Sequence, residues 1–359
     1  MRDFPARAAD SPPLGTPSAS SFSIAFCIVG QLARFEWASK SARIFKPSLA
    51  AGHELGVFAV LSRGGANYVN RGGGRGGNEV LSDGRFTHFD EPRLRRVISS
   101  TLPSTSGVDV QLLNESSTGF LHDPTWAKAM DKGHLGPASM HRRQRLHLLQ
   151  WSHLRNCMFM IDRHEVAAGR LYGAVAKLRD DSFALAPFVV PPAWARVGIT
   201  TISCLAWWGL MDAVFVVGRR WAWHIMEGMS ADWYLSHGHF GANPKTIPKN
   251  PESWLALLAA YRGVPSMKVS VCDIPLISMR FLRRRQNASI AVAAAPAAAV
   301  PLPPPPLRIV IKRLHYYFFL NEGSCNANAT ARCQGPQHKS RWRTKLRSLG
   351  ACPANICSS

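Results

Sequence analysis

The chain is short of acid. Its 359 residues carry 22 Asp and Glu against 43 Lys and Arg. A surplus of this size disfavours cationic partners and points toward phosphate-bearing ones. Its distribution narrows that reading. Residues 1–20 are balanced, and residues 21–274 carry a net +9. After residue 274 there are 13 basic residues and one acid, Glu322, so more than half of the net +21 lies at the C-terminal end. The moderately basic core suits a phosphate-bearing small molecule as well as a polynucleotide.

Other features are missing too. The eight cysteines include no C-x-x-C pair, which argues against a structural zinc site. Cys27, Cys157, Cys204 and Cys272 sit in apolar stretches and are expected as small buried hydrophobes. Cys325, Cys333, Cys352 and Cys357 are unevenly spaced in the tail, where disulfides would suit a secreted protein. No secretory signal is read in the Pro/Ser-rich first 20 residues. The apolar run Phe22–Val29 is too short to span a bilayer. The longer stretch 183–217 is broken by Pro187, Pro191, Pro192 and Arg196 and reads as buried strands and a helix. No transmembrane segment is therefore expected. No G-x-G-x-x-G follows the first strand, so a dinucleotide site is not indicated there.

What is present reads as one α/β domain over residues 21–280, a single mostly parallel sheet flanked by helices. Phe22–Val29 and Gly56–Leu61 are near-continuous apolar runs, as in strands buried on both faces, with a helix expected over 31–50 between them. Residues 62–80 are rich in Arg-Gly-Gly and read as a loop, and 81–138 as short elements and loops. Leu146, Leu149, Leu154, Cys157 and Ile161 make a helical stripe within 139–168. Strands are expected at Ala174–Asp181, Ala213–Val217 and Val269–Ile277. Asn250, Pro251 and Glu252 form a helix start. Residues 1–20 read as a disordered leader, 281–307 as an Arg/Ala/Pro-rich linker and 308–359 as a basic, disordered tail that could also be a misread end of the gene.

Several groups could carry chemistry. Lys177, Arg179 and Asp181 alternate along a strand and so share one side, with Leu178 and Asp180 on the other. Charges at a strand end are costly to bury unless they meet a ligand, a metal or each other. The alternative is an internal ion pair of Arg179 with Asp181 or Asp180. Gly30, Gln31 and Arg34 follow the first strand, where a glycine permits close approach to a phosphate or base; an ordinary turn is the other reading. His141, Arg142, Arg143, Gln144 and Arg145 open the long helix, either as a phosphate-binding start or as a solvated basic turn. Asp212 precedes a strand and is a candidate base, sugar-hydroxyl acceptor or turn cap. Asp232, His237 and His239 are an unspecific candidate metal cluster.

The ordered series resembles an uncharacterised glycosyltransferase-like domain family related to the WavE-type lipopolysaccharide-synthesis proteins of the GT-A class. It rests on Ile28 to Arg34, on Arg143 and Gln144 with Gln150, Trp151 and Cys157, on Gly169 to Asp181, on Asp212 to Arg219, and on Pro251 to Leu255. The resemblance implies a nucleotide-sugar donor, a glycan or similar acceptor, and Mn²⁺ or Mg²⁺ on the diphosphate, with Asp181 as metal ligand. It implies donor or phosphate contacts from Gly30, Gln31, Arg34, Arg143, Gln144, Lys177 and Arg179. Asp212 or Glu252 would serve as catalytic base; Glu252 is equally a helix N-terminal acid. The usual Asp-x-Asp reads Arg179-x-Asp181 here. Lys177 and Arg179 can instead neutralise the leaving diphosphate themselves. The resemblance and the sequons at Asn114, Asn287 and Asn328 point to the secretory pathway or Golgi lumen. A nucleic-acid binder using the Arg-Gly-Gly loop and basic tail, or a catalytically degenerate scaffold, are the rival readings.

Overall fold

A computed structural model describes residues 22–63, 86, 88–114, 137–203, 209–235, 251–270, 272–278, 282–283 and 309–310; the side chains of 137–146, 234–235, 277–278, 282–283 and 309–310 are outside the described set. The leader, the Arg-Gly-Gly loop, His237, His239, Asn250, Cys204, and nearly all of the linker and tail therefore lie outside it.

The first two strands are β1, Ser23–Gln31, and β2, Glu54–Ser62. Both are apolar on alternate residues in both directions, so both faces must be covered. Ile24, Phe26 and Ile28 of β1 enter one core, and Ala25, Cys27 and Val29 enter the other. The remaining strands are β3 (Gly107–Leu113), β4 (Ala174–Arg179), β5 (Ser182–Ala184), β6 (Ile199–Ile202), β7 (Phe215–Gly218), β8 (Ser266–Val269), β9 (Leu276–Ser278) and the short antiparallel pair β10 (Leu282–Arg283) and β11 (Ile309–Val310). Seven form one sheet in the order β3-β2-β1-β4-β7-β6-β8, and β5 pairs with β9 separately. The sheet is mostly parallel but mixed, because β7 runs antiparallel to both β4 and β6.

The helical segments are α1 (Ala38–Lys40) and α2 (Lys46–Ala50), joined by a π-type turn at Ser41–Phe45. They are followed by α3 (Glu91–Ser99), α4 (Pro137–Ala168), α5 (Trp194–Val197), α6 (Arg219–Met226), α7 (Gly228–Leu235) and α8 (Pro251–Tyr261). Residues of α4, α6, α7 and α8 fill one core, and residues of α3, α5 and the π-type turn fill the other. Among the described residues no helix is long and apolar enough to cross a membrane.

Several expectations shift. The helix expected over 31–50 begins only at Ala38; Leu32–Arg34 is a 3₁₀ turn and 35–37 is irregular. The strand end is held by tertiary contacts before a helix can start, as the site geometry shows below. The Val269–Ile277 strand splits into β8 and β9, because the main-chain N–H of Ser270 bonds to the Asp273 carboxylate at 2.8 Å and turns the chain. The strand expected at Ala213–Val217 lies two residues later at its start. Helix α3 and strand β3 were not foreseen, although Asp90 is a legible N-cap that accepts from the Arg93 N–H at 2.8 Å, with Pro92 in the first turn.

Cys27 and Cys157 are fully buried, as expected, but they are not separate hydrophobes. They are joined as a disulfide between β1 and α4, with Cα atoms 6.0 Å apart and 130 residues between them. A cross-link closing so long a loop constrains the unfolded chain by about 2–5 kcal/mol. Non-reducing peptide mapping should recover the Cys27–Cys157 linkage, and Cys157→Ala should lower unfolding stability by that order. Free thiols at both positions in the native protein would contradict the pairing.

His153, on α4, is 1 % exposed, and neither ring nitrogen has a hydrogen-bond partner among the described residues. Burial lowers its pKa to about 4. The fold therefore favours the neutral ring. That stability is fully present above the unfolded value of about 6.5 and is lost as pH falls toward 4. Denaturant titrations at about pH 7 and pH 4.5 should show the wild type losing about 2–3 kcal/mol more than His153→Leu. Equal losses would place the acid sensitivity elsewhere.

Candidate functional site

The site forms where the sheet order changes direction. From β1 the chain goes outward to β2 and β3 on one side, while β4 pairs on the other. Open α/β sheets bind ligands outside the carboxyl ends of strands at such a point. Here those ends carry Gly30 and Gln31 from β1, and Lys177 and Arg179 from β4. Because β7 is antiparallel, its beginning faces the same edge, with Phe215 opposite Lys177. That brings Asp212 to the carboxyl ends of β1 and β4. The start of α8 joins them: the Leu210 N–H donates to the Glu252 main-chain carbonyl at 3.0 Å.

Strand β4 ends at Arg179, and Asp180 and Asp181 form a turn. Strict alternation would have sent Asp180 to the opposite face. The turn instead brings its carboxylate back to the end of β1, where it accepts the Gln31 N–H at 3.0 Å and the Arg34 Nη2 at 3.1 Å. Gly30 has a φ of +148°, and a Cβ there would overlap the Asp180 carboxylate. The glycine is thus needed both for its backbone and for its missing side chain.

Asp181 sits between two guanidinium groups. Arg179 approaches Oδ1 at 3.0 Å and Oδ2 at 3.2 Å, and Arg34 approaches Oδ2 at 3.4 Å. The internal Arg179–Asp181 ion pair read as an alternative is present, as part of a larger chain of charges Asp180–Arg34–Asp181–Arg179. Burial disfavours the Arg179 charge, but Asp181, Asp180 and Asp212 outweigh it and raise its pKa. Burial raises the pKa of Asp180, against the pull of Arg34.

Lys177 is fully buried, and its Nζ donates to the Asp212 main-chain carbonyl. Burial lowers its pKa to about 8, with Asp212 opposing the shift and Arg179 adding to it. The Asp212 carboxylate accepts from Gln150 Nε2 at 3.0 Å. Burial, followed by the nearby Asp212 charge, pushes Glu252 up to about 7.

Eight of the ten predicted residues converge on this edge: Gly30, Gln31, Arg34, Lys177, Arg179, Asp181, Asp212 and Glu252. Arg143 and Gln144 lie in α4, within the stretch whose side chains are not described. Their helix runs from the site edge, where Gln150 meets Asp212, to the opposite edge, where Glu165 accepts the Tyr172 N–H. The Arg143 turn is therefore on the site side of Gln150. Of the candidate metal cluster only Asp232 is described, and Arg262 grips it through Nε at 2.6 Å and through Nη2.

Sequence reasoning missed Lys40, Asp180 as an anchor, and Gln150 as a partner of Asp212. Lys40 is fully buried and donates to the main-chain carbonyls of Glu36 at 2.7 Å, Asp180 at 3.0 Å and Ser182 at 2.5 Å. Its position, three residues beyond Trp37 and just before an apolar helix face, was the available signal.

The donor set does not fit Mn²⁺ or Mg²⁺. Such ions want several oxygen ligands, whereas both carboxylates at the end of β4 face guanidinium groups. Among the described residues no three His, Cys, Asp or Glu side chains converge as a metal site. The implied role of Asp181 as a metal ligand therefore finds a cationic neighbour where a cation would have to sit. Arg34, Lys40, Lys177 and Arg179 face Glu36, Asp180, Asp181, Asp212 and Glu252. Four cations thus face five carboxylates, so the cluster holds no formal excess of positive charge.

Against known protein families and curated proteins, the chain matches none.

Replacing Asp180 by Ala should destabilise the fold by about 3 kcal/mol, the lower end for a broken buried ion pair, because Arg34 can still reach solvent. Gly30→Ala should cost a comparable amount through overlap with Asp180. Urea midpoints unchanged in both variants would mean that apolar packing alone holds the turn.

Proposed function

We propose that the chain is a glycosyltransferase that moves a sugar from a nucleotide-sugar to a glycan or similar hydroxyl-bearing acceptor. The observation that carries this reading is the convergence of Arg34, Lys177 and Arg179 with two carboxylates, Asp212 and Glu252, at the switch point between β1 and β4. The resemblance in motif order supports it, because the motifs are scattered along the chain yet each contributes at least one described residue to this edge: Gly30, Gln150, Lys177, Asp212 and Glu252. The disulfide between Cys27 and Cys157 supports folding in an oxidising lumen.

In this reading Gly30 and Gln31 border the nucleotide, and Arg34, Arg179 and the start of α4 meet the diphosphate. Transfer builds negative charge on the departing diphosphate. Fixed cations aimed at that charge lower the barrier without reorganising. Lys177, buried beside Asp212, adds a positive charge that weakens as pH rises past about 8. On the acceptor side, a carboxylate takes the hydroxyl proton as the new bond forms.

Calorimetric titration of the full chain with UDP-, GDP- and ADP-sugars, with and without Mn²⁺, tests the reading. One donor should bind without requiring Mn²⁺. Arg179→Ala should weaken that binding at least about tenfold, as expected when a charged hydrogen-bonding group is removed. Absence of binding by every donor would sink the transferase reading. Salt-dependent binding of mixed single-stranded oligonucleotides instead would favour the nucleic-acid alternative.

A further inference from the structure

The two carboxylates on the acceptor side are held differently. Asp212 is 6 % exposed, and both of its polar ends are engaged. Its Oδ2 accepts Gln150 Nε2 at 3.0 Å, and its main-chain carbonyl accepts Lys177 Nζ. Glu252 is half-buried in the first turn of α8, and its main-chain carbonyl is fixed by the Leu210 N–H. No other described residue hydrogen-bonds to its carboxylate. Aromatic packing links the backbones on either side. Trp151, next to Gln150, packs with Trp233 at 4.9 Å between ring centroids, and Trp233 meets Trp254, two residues after Glu252, at 5.3 Å. The Trp254 indole N–H is tied to the Met229 carbonyl at 2.9 Å.

We propose that Glu252 rather than Asp212 takes the proton from the acceptor hydroxyl, and that Gln150 is a positioning residue that keeps Asp212 in place beside it. The assignment rests on the transferase reading. In the step, the hydroxyl proton passes to a Glu252 carboxylate oxygen. The freed oxygen pair forms the bond to the anomeric carbon, and the bond from that carbon to the donor phosphate breaks, its pair leaving on the diphosphate. The product proton is then released from Glu252 to water.

The chemistry favours the looser group. A base must reach a hydroxyl at hydrogen-bond distance with a lone pair that is not committed elsewhere. The Asp212 carboxylate is nearly sealed from solvent with Oδ2 committed to Gln150, whereas Glu252 is half-buried and its carboxylate has no partner from another described residue. Its negative charge acts through space instead. It sits near Glu252 together with Lys177 and Arg179, and of these Asp212 has the largest influence after burial itself. A carboxylate titrating near neutral pH both accepts and releases a proton readily. Without Gln150 the Asp212 carboxylate loses its side-chain tether and can turn away from Glu252; the raising influence of its charge on Glu252 then weakens, and Glu252 titrates lower.

Infrared difference spectra of the full chain, taken from about pH 5 to pH 9, read the titration directly. Wild type should show a carboxyl band lost near pH 7, absent from Glu252→Gln and moved to lower pH in Gln150→Leu. The donor bound most tightly in calorimetry is then used for turnover. Glu252→Gln should lose about 10²–10⁴-fold in kcat with donor affinity kept. In Gln150→Leu the acid limb of the pH–rate profile should move with the infrared midpoint. Turnover by wild type that Glu252→Gln leaves intact overturns the assignment alone. A band that survives Glu252→Gln and disappears in Asp212→Asn overturns it as well. A Gln150→Leu variant that is merely less stable, with both midpoints unmoved, removes the positioning role. Wild type that turns over no donor fails the transferase reading itself.

Discussion

The Asp180 carboxylate and carbonyl join the ends of the two central strands. The carboxylate takes the Gln31 N–H and Arg34, and its main-chain oxygen takes the Glu36 N–H at 2.9 Å and Lys40 Nζ. One residue therefore fixes the exit of β1, the turn after β4 and the entry to α1. A buried carboxylate is tolerable only where its partners converge this fully. Gly30 makes that convergence sterically possible. Arg34 and Arg179, which define the candidate phosphate side, then share Asp181 as a common counter-charge. Without this constraint the cations would have no fixed relation to the strand ends.

A second consequence is electrostatic economy. The site is not a simple basic pocket, because each described cation already faces a carboxylate. Such a balanced cluster can be buried in a folded chain, whereas a group of unpaired cations could not be. It also leaves the site responsive to protonation. Lys177 and Glu252 titrate within about a unit of neutrality, at about 8 and about 7, so between those values the local charge depends on pH.

Much of the fold was legible because its strands are buried on both faces. Phe22–Val29 and Gly56–Leu61 advertise themselves as unbroken apolar runs, and the stripe from Leu149 to Ile161 marks α4. The antiparallel β7 was not legible as such, since Phe215, Val216 and Val217 are equally apolar in either direction. Helix α3 was missed although its cap was visible, because the surrounding 62–138 region was dominated by turn-forming residues. The Cys27–Cys157 pairing joins residues far apart in sequence, and apolar surroundings alone could not distinguish a buried thiol from a buried disulfide.

At the site, local pattern was enough to pick out Lys177, Arg179 and Asp181, because charges at the end of an apolar strand stand out against its period of two. Asp212 and Glu252 were legible as acids beside a strand and at a helix start. Their pairing was not, since it depends on β7 running backwards and on α8 docking beside the Leu210 loop. The placing of Asp180 by alternation holds only while a strand stays regular, and this one ends at Arg179 and turns. The sequence by itself determined which segments must be buried and which charges sit at their ends, since hydrophobic period is a local property. Only the tertiary structure decided which of those charges meet, because strand direction, the Asp180 turn and the packing of α4 and α8 are set by contacts between residues distant in the chain.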